Sequence, residues 1–172
     1  MKTKKLDIFL VDDNIMYLNL LEHFFYKCIG TKGYSLKSFS SGEACLKEVK
    51  RSSPHIVVLD YYLNSTMANA ENGTNILRKI KSLNRNAQVI MLSSQEKIDV
   101  ATNSLKLGAS DYVIKNESAF EHLEIIVKKV CKTILLKDNI KKLKIRNTII
   151  LIIYFILVIA LGIYAKRDHW EF

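Results

Sequence analysis

Between Leu6 and about Val130, short β-rich apolar runs alternate with longer runs of helical spacing, and this alternation restricts the fold more than any other feature. Five such units can be counted. Strands that all run the same way need crossover helices to carry the chain back, so the pattern predicts an α/β domain with a parallel sheet. The predicted strands are 7–11, 35–39, 56–60, 88–92 and 112–114, and the predicted helices between them are 15–29, 42–51, 74–83 and 98–107. The third strand reads Ile-Val-Val-Leu before its aspartate, a continuous apolar run that suits a strand covered on both faces. In the first helix Leu18, Leu21, Glu22 and Phe25 follow the three-and-four spacing of a buried stripe, with Glu22 expected at the surface. Ser41-Gly42, Ser52-Ser53-Pro54, Asn72-Gly73 and Leu107-Gly108 punctuate the units.

A second feature lies beyond the alternating region. Thr148–Ala165 is 18 residues without a charge, apolar on all sides. At about 1.5 Å per residue it makes roughly 27 Å of helix, close to a hydrocarbon core of about 30 Å. Lys and Arg number 26 against 17 acids, and the excess is concentrated just before this run. From Lys128 to Arg146 there are eight basic residues, with Asp138 the one acid, which marks the cytoplasmic flank of a spanning helix. The expected organisation is therefore a domain over 1–134, a basic juxtamembrane helix over 135–147, a transmembrane helix over 148–165 and a short tail over 166–172. The basic start interrupted by Asp7 is not expected to be a secretory signal. Three dispersed cysteines, Cys28, Cys45 and Cys131, fit buried thiols of a reducing compartment better than a disulfide framework. The four histidines have no ligand spacing.

Chemistry is concentrated at strand ends. Asp12 and Asp13 follow the first strand and Asp60 ends the third, positions that meet at the carboxyl edge of a parallel sheet. Carboxylates gathered there repel one another unless an oxygen-seeking cation neutralises them, and Mg²⁺ suits a few carboxylates supplemented by water and phosphate oxygens. Ser93 after the fourth strand offers a hydroxyl, and Lys115 after the fifth offers a cation. Tyr62–Asn72, directly after the third strand, is the longest irregular loop.

The ordered set Asp12-Asp13, Asp60, Ser93 and Lys115, with Tyr112 three residues before the lysine, resembles the response regulator receiver family of two-component signalling. The resemblance implies a flavodoxin-like, doubly wound five-stranded sheet of order 2-1-3-4-5, here with a C-terminal helical extension. It implies that Asp60 takes a phosphoryl group from a histidine kinase or phosphotransfer protein. By the same resemblance, Asp12, Asp13, Asp60 and the Tyr62 carbonyl would bind Mg²⁺, Asp12 acting through water. Ser93 and Lys115 would grip phosphoryl oxygens, and Ser93 and Tyr112 would form the switch. Tyr62 and Gln95 occupy positions that tune dephosphorylation in similar receivers. Such a domain catalyses its own phosphorylation and dephosphorylation without a separate enzymatic output domain. Two departures stand out: about thirteen residues separate Asp60 from Gly73, more than the family usually has, and Asn116 stands where a proline usually follows the lysine.

The expected function is a phosphorylation switch, single-pass in the cell inner membrane with its receiver in the cytoplasm, acting on an unknown downstream protein and able to form a homodimer. A non-catalytic receiver-like adaptor in a membrane signalling complex is the alternative. DNA binding is not expected, because about 38 residues follow the receiver and nearly half of them are the apolar run.

Overall fold

The computed structural model describes residues 6–29, 34–63 and 73–167, and the chain forms two compact units, Met1–Lys128 and Lys129–Phe172. In the first unit five strands, β1 (Leu6–Val11), β2 (Tyr34–Phe39), β3 (Ile56–Asp60), β4 (Gln88–Ser93) and β5 (Asp111–Ile114), pair in parallel in the order β2-β1-β3-β4-β5. The helices are α1 (Ile15–Ile29), α2 (Gly42–Arg51), α3 (Gly73–Leu83), α4 (Ile98–Lys106) and α5 (Ala119–Arg167). This is the expected fold. β3 lies at the centre with every residue buried, which is why its sequence shows no polar alternation.

Strand periodicity divides the core in two. Phe9, Val11, Val57, Leu59, Val89 and Met91 share one cluster with Cys45 and Val49 of α2 and Ile76, Leu77 and Ile80 of α3. The alternate residues Ile8, Leu10, Ile56, Val58, Ile90 and Leu92 are equally buried and point to the other face. On α1 the stripe Leu18, Leu21 and Phe25 is buried as expected. Glu22 departs from expectation: it is half-buried, and its carboxylate accepts a hydrogen bond from Ser38 Oγ of β2. The thiols also differ, since Cys45 alone is fully buried while Cys28 and Cys131 are intermediate. Burial pushes the Cys45 thiol up to about 12.

Local chemistry sets the element ends. Asn14 Oδ1 accepts from Met16 N and Tyr17 N, opening α1, and Ser41 Oγ accepts from Ala44 N at the start of α2. Gly108, with φ 98°, follows α4 in a conformation that a residue with a Cβ adopts at a cost. His55 Nδ1 accepts from Asp7 N, tying the starts of β1 and β3, a structural role with no ligand cluster around it among the described residues.

Gly73 at the head of α3 has a stricter reason to be glycine. A Cβ there would lie 2.3 Å from Asp60 O and 2.8 Å from Tyr61 Cα, both backbone atoms that yield only if the strand end moves. Gly73→Ala is expected to lower stability by about 2 kcal/mol, read as an earlier urea midpoint at an unchanged slope. A midpoint shift below about a quarter of that would contradict the close packing.

In the second unit the apolar part of α5 is exposed: from Ile149 to Tyr164 every large apolar side chain is at least 47% exposed. By length and composition it is the one described helix able to cross a membrane, and none of its most apolar window is buried.

Candidate functional site at the carboxyl edge of the sheet

β1 and β3 are adjacent and in register from Ile8↔Ile56 to Val11↔Leu59, so Asp12 and Asp60 emerge side by side. Asp12 N donates to Phe39 O of β2, and Asp12 Oδ1 accepts from Asn14 N, which fixes the turn into α1. Asp12, Asp13 and Asp60 each offer a carboxylate oxygen, and these atoms lie within 4.8 Å of one another. Asp12 and Asp60 are buried, at 0% and 4% exposure, and Asp13 is the accessible member.

Lys115 reaches this cluster from the end of β5, where its backbone N–H donates to Ser93 O. Its Nζ donates to Asp12 Oδ2 at 2.6 Å and pairs with Asp60 Oδ1 at 2.9 Å. The approach to Asp60 is an ion pair off the hydrogen-bonding direction, so this buried oxygen has no aligned donor. Burial raises the pKa of Asp60; Lys115 opposes the shift, Asp12 adds to it, and a hydrogen bond from the Tyr62 backbone lowers it again. Burial works against the Lys115 charge, but the hydrogen bond to Asp12 and the two carboxylates outweigh it and its pKa rises.

Three carboxylates against one ammonium leave two negative charges in a largely buried space. That balance, together with an Asp60 oxygen held by an ion pair but no aligned hydrogen bond, fits a divalent cation with oxygen ligands. Asp12, Asp13 and Asp60 are the residues that could hold it.

Ser93 is fully buried at the end of β4, and its Oγ accepts from Gln95 N at 3.1 Å. The Tyr112 hydroxyl donates to Gln95 O at 2.9 Å. The Gln95 backbone thus joins the two residues of the expected switch, a link no side-chain pattern could have revealed. Tyr62 is at the surface with its ring edge-on to Tyr61, 4.8 Å between centroids. Residues 64–72 of the expected loop lie outside the described residues. The sequence reading also missed Tyr17, whose ring faces the Lys115 ammonium at 4.4 Å.

A parallel sheet of this order, with three acids and a lysine gathered at its carboxyl edge, defines a receiver domain. The chain belongs to the response regulator receiver family: the receiver domain model matches residues 8–128. Among curated proteins it is 26% identical over 138 residues to the nitrogen assimilation regulatory protein NtrX of Azorhizobium caulinodans, covering 80% of this chain and 29% of that one. It is 29% identical over 124 residues to the transcriptional regulatory protein ZraR of Escherichia coli, covering 72% of this chain and 26% of that one. The chain therefore spans little more than a quarter of the length of these relatives. Among solved structures, the BeF3-activated receiver domain of DrrB, a Thermotoga maritima protein, superposes with a TM-score of 0.63 at 26% identity, covering 74% of this chain and 98% of that one. The signal receiver domain of a LuxO repressor protein from Vibrio parahaemolyticus gives 0.67 at 22% identity, covering 79% and 97%, a likeness of fold. Receiver domains take phosphoryl groups from histidine kinases or phosphotransfer proteins and bind Mg²⁺ at an acidic pocket such as this one.

Proposed function

We propose that this chain is a membrane-tethered phosphorylation switch in which Asp60 is the phosphoacceptor. The observation that carries the reading is the buried Asp60 carboxylate, paired with Lys115 and flanked by Asp12 and Asp13. An Asp60 oxygen forms the new bond to phosphorus as the bond from phosphorus to the donor histidine nitrogen breaks. Phosphoryl transfer asks for little beyond an in-line nucleophile and neutralised oxygens. Asp12, Asp13, Asp60 and the Tyr62 carbonyl would hold Mg²⁺, which when bound supplies charge neutralisation. Lys115 stays close to the transferred group, moving from the carboxylate to a phosphoryl oxygen.

Ser93 supplies the response. If its hydroxyl turns to the phosphoryl group it releases Gln95 N–H, and the Gln95 carbonyl that holds the Tyr112 hydroxyl is free to shift with it. The face around Tyr112 is then the surface read by a downstream protein, while Tyr62 and Gln95 tune the lifetime of the phosphoryl group.

The domain limits we assign are 1–134 for the receiver, 135–147 for the basic juxtamembrane helix, 148–165 for the membrane helix and 166–172 for the tail. The tether places the switch at the cytoplasmic face of the inner membrane, where a histidine kinase or phosphotransfer protein and a target protein meet it.

The test uses the purified full-length chain in detergent with a small phosphodonor such as acetyl phosphate. One acid-labile phosphoryl group is expected by intact mass, formed with Mg²⁺ and absent with EDTA. Incorporation that ignores chelation would overturn the assignment of the acidic cluster.

A further inference from the structure

We infer that Tyr17 is a positioning residue for the phosphoryl chemistry: its ring face holds the Lys115 ammonium between Asp12 and Asp60. The inference rests on Asp60 being the phosphoacceptor. Lys115 ends a flexible four-carbon stem with three donors, and such a group has little intrinsic orientation. Two sides of the ammonium face carboxylates: Asp12 Oδ2 accepts a hydrogen bond at 2.6 Å, and Asp60 Oδ1 is an ion-pair partner at 2.9 Å. The Tyr17 ring takes another, with Nζ 4.4 Å from its centroid, well inside the range where the negative face of an aromatic ring attracts a cation.

The ring is itself held. Asn14 Oδ1 accepts from Tyr17 N in the first turn of α1. The Tyr17 ring stacks on Phe120 of α5 at 6.0 Å and 26°, and Phe120 packs in turn against Phe24, 5.3 Å away. Lys115 is 14% exposed at its side chain, so the attraction acts where water screens it weakly. The chain has a particular use for such a support, because Lys115 is followed by Asn116, whose backbone N–H reaches only to Ile114 O and whose side chain serves Ser118.

The consequence concerns the moment when Lys115 must leave a carboxylate oxygen for a phosphoryl oxygen. A carboxylate partner changes in that exchange; the ring does not. Tyr17 therefore keeps the cation at the site while its anionic partner is replaced, and the phenol hydroxyl is not required for this. Phenylalanine can do the same, and leucine, a smaller apolar side chain with no ring, cannot.

Two measurements on the full-length chain in detergent test the inference. In ¹³C-lysine-labelled protein, the Lys115 ε-methylene protons are expected upfield of the other lysines through the Tyr17 ring current. They should stay there in Tyr17→Phe and return to the ordinary position in Tyr17→Leu. This readout is independent of whether Asp60 is phosphorylated, so loss of the upfield shift in the wild type overturns the Tyr17 assignment alone. The rate of Mg²⁺-dependent labelling by acetyl phosphate is expected to fall roughly tenfold in Tyr17→Leu, the upper part of the cation–π range, and to stay within about twofold in Tyr17→Phe. In a Lys115→Arg background, where residual labelling can be followed, Tyr17→Leu and Tyr17→Phe should again separate. In Lys115→Met the two should label alike, because the cation they act through is gone. Equal slowing by Tyr17→Leu with and without the Lys115 charge would mean that the ring acts through packing, and would overturn the proposal.

Discussion

Asp60→Asn is expected to abolish phosphoryl incorporation and, in metal-free buffer, to make the protein more stable. The first effect follows from removing the nucleophile: a carboxamide, its nitrogen lone pair delocalised into the carbonyl, is a far weaker nucleophile than the Asp60 carboxylate that Lys115 pairs with. The second follows from the electrostatics of the unliganded site. Burial raises the Asp60 pKa above its unfolded value, and Lys115 only partly offsets this. A carboxyl with a raised folded pKa penalises the native state once it ionises. Well below the unfolded value of about 3.9 both states carry the proton and there is no penalty. As pH rises through the window between the unfolded and the higher folded value, the unfolded chain loses its proton first, and stability falls. Above the folded value the full penalty applies.

Asparagine carries no charge at any of these pH values, so the variant escapes the loss. At pH 7 the gain is expected to be on the order of 1 kcal/mol, the scale of a buried acceptor with no aligned donor, or about 3 °C for a chain of this size. The gap should close toward pH 3.5. Mg²⁺ should narrow the gap, because at tenfold its dissociation constant a bound ligand adds about 1.4 kcal/mol to the wild type while Asp60→Asn, with one ligand gone, gains less; the order reverses where that gain is under about 0.4 kcal/mol. Calorimetry of both proteins in EDTA and in Mg²⁺ gives all four values. A variant less stable than the wild type in EDTA would show that the Lys115 pairing, not desolvation, dominates at this carboxylate.

Much of this site was legible because the fold makes strand ends converge. β3, α1 and α2 match their expected limits, and the acids and Lys115 fall where the spacing put them. Strand limits erred by a residue where pairing overrides propensity. Asp111 is a poor strand former but is held opposite Ile90, and Ser93 is drawn into β4 opposite Ile114. Tyr17 was missed for a different reason. It lies beside the buried stripe of α1, seven residues before Phe24, and an aromatic there reads as core; that its face would meet a cation from β5 depends on a strand nearly a hundred residues away. Gly73 reads in the sequence as a boundary marker, and its close approach to the Asp60 backbone depends on how the end of β3 meets the head of α3. Glu22 illustrates the reverse error: an acid within an apolar stripe was assigned to solvent, but β2 supplies Ser38 to receive it.

If the proposed tether spans the membrane, the chain resists carbonate washing and removing residues 148–172 is expected to release it. The apolar part of α5 exposes its large side chains on every side, which a monomer in water does not tolerate over such an area. A soluble core helix of that composition would be mostly covered, and none of this helix's most apolar window is buried. The backbone polar groups of a helix are satisfied internally, so the segment meets the one strict demand of hydrocarbon. Length is sufficient without surplus: 18 uncharged residues give roughly 27 Å, which favours a helix standing with little tilt. The flanks then set the orientation. Lys137, Lys141, Lys142, Lys144 and Arg146 precede the run, against Lys166 and Arg167 after it, so the proposed tether would place the receiver on the cytoplasmic side. Asp138 does not undo the bias, because it pairs with Lys142 at 3.0 Å on the same helix and acids weigh little in the rule. Full-length protein should therefore stay in the membrane pellet through carbonate washing and leave it only with detergent, while the truncated protein appears in the supernatant. Protease added to spheroplasts should leave the receiver intact, and added to inverted vesicles should degrade it. Release of the full-length chain by carbonate would replace the spanning helix with a self-associating apolar tail, and the tether with a soluble switch.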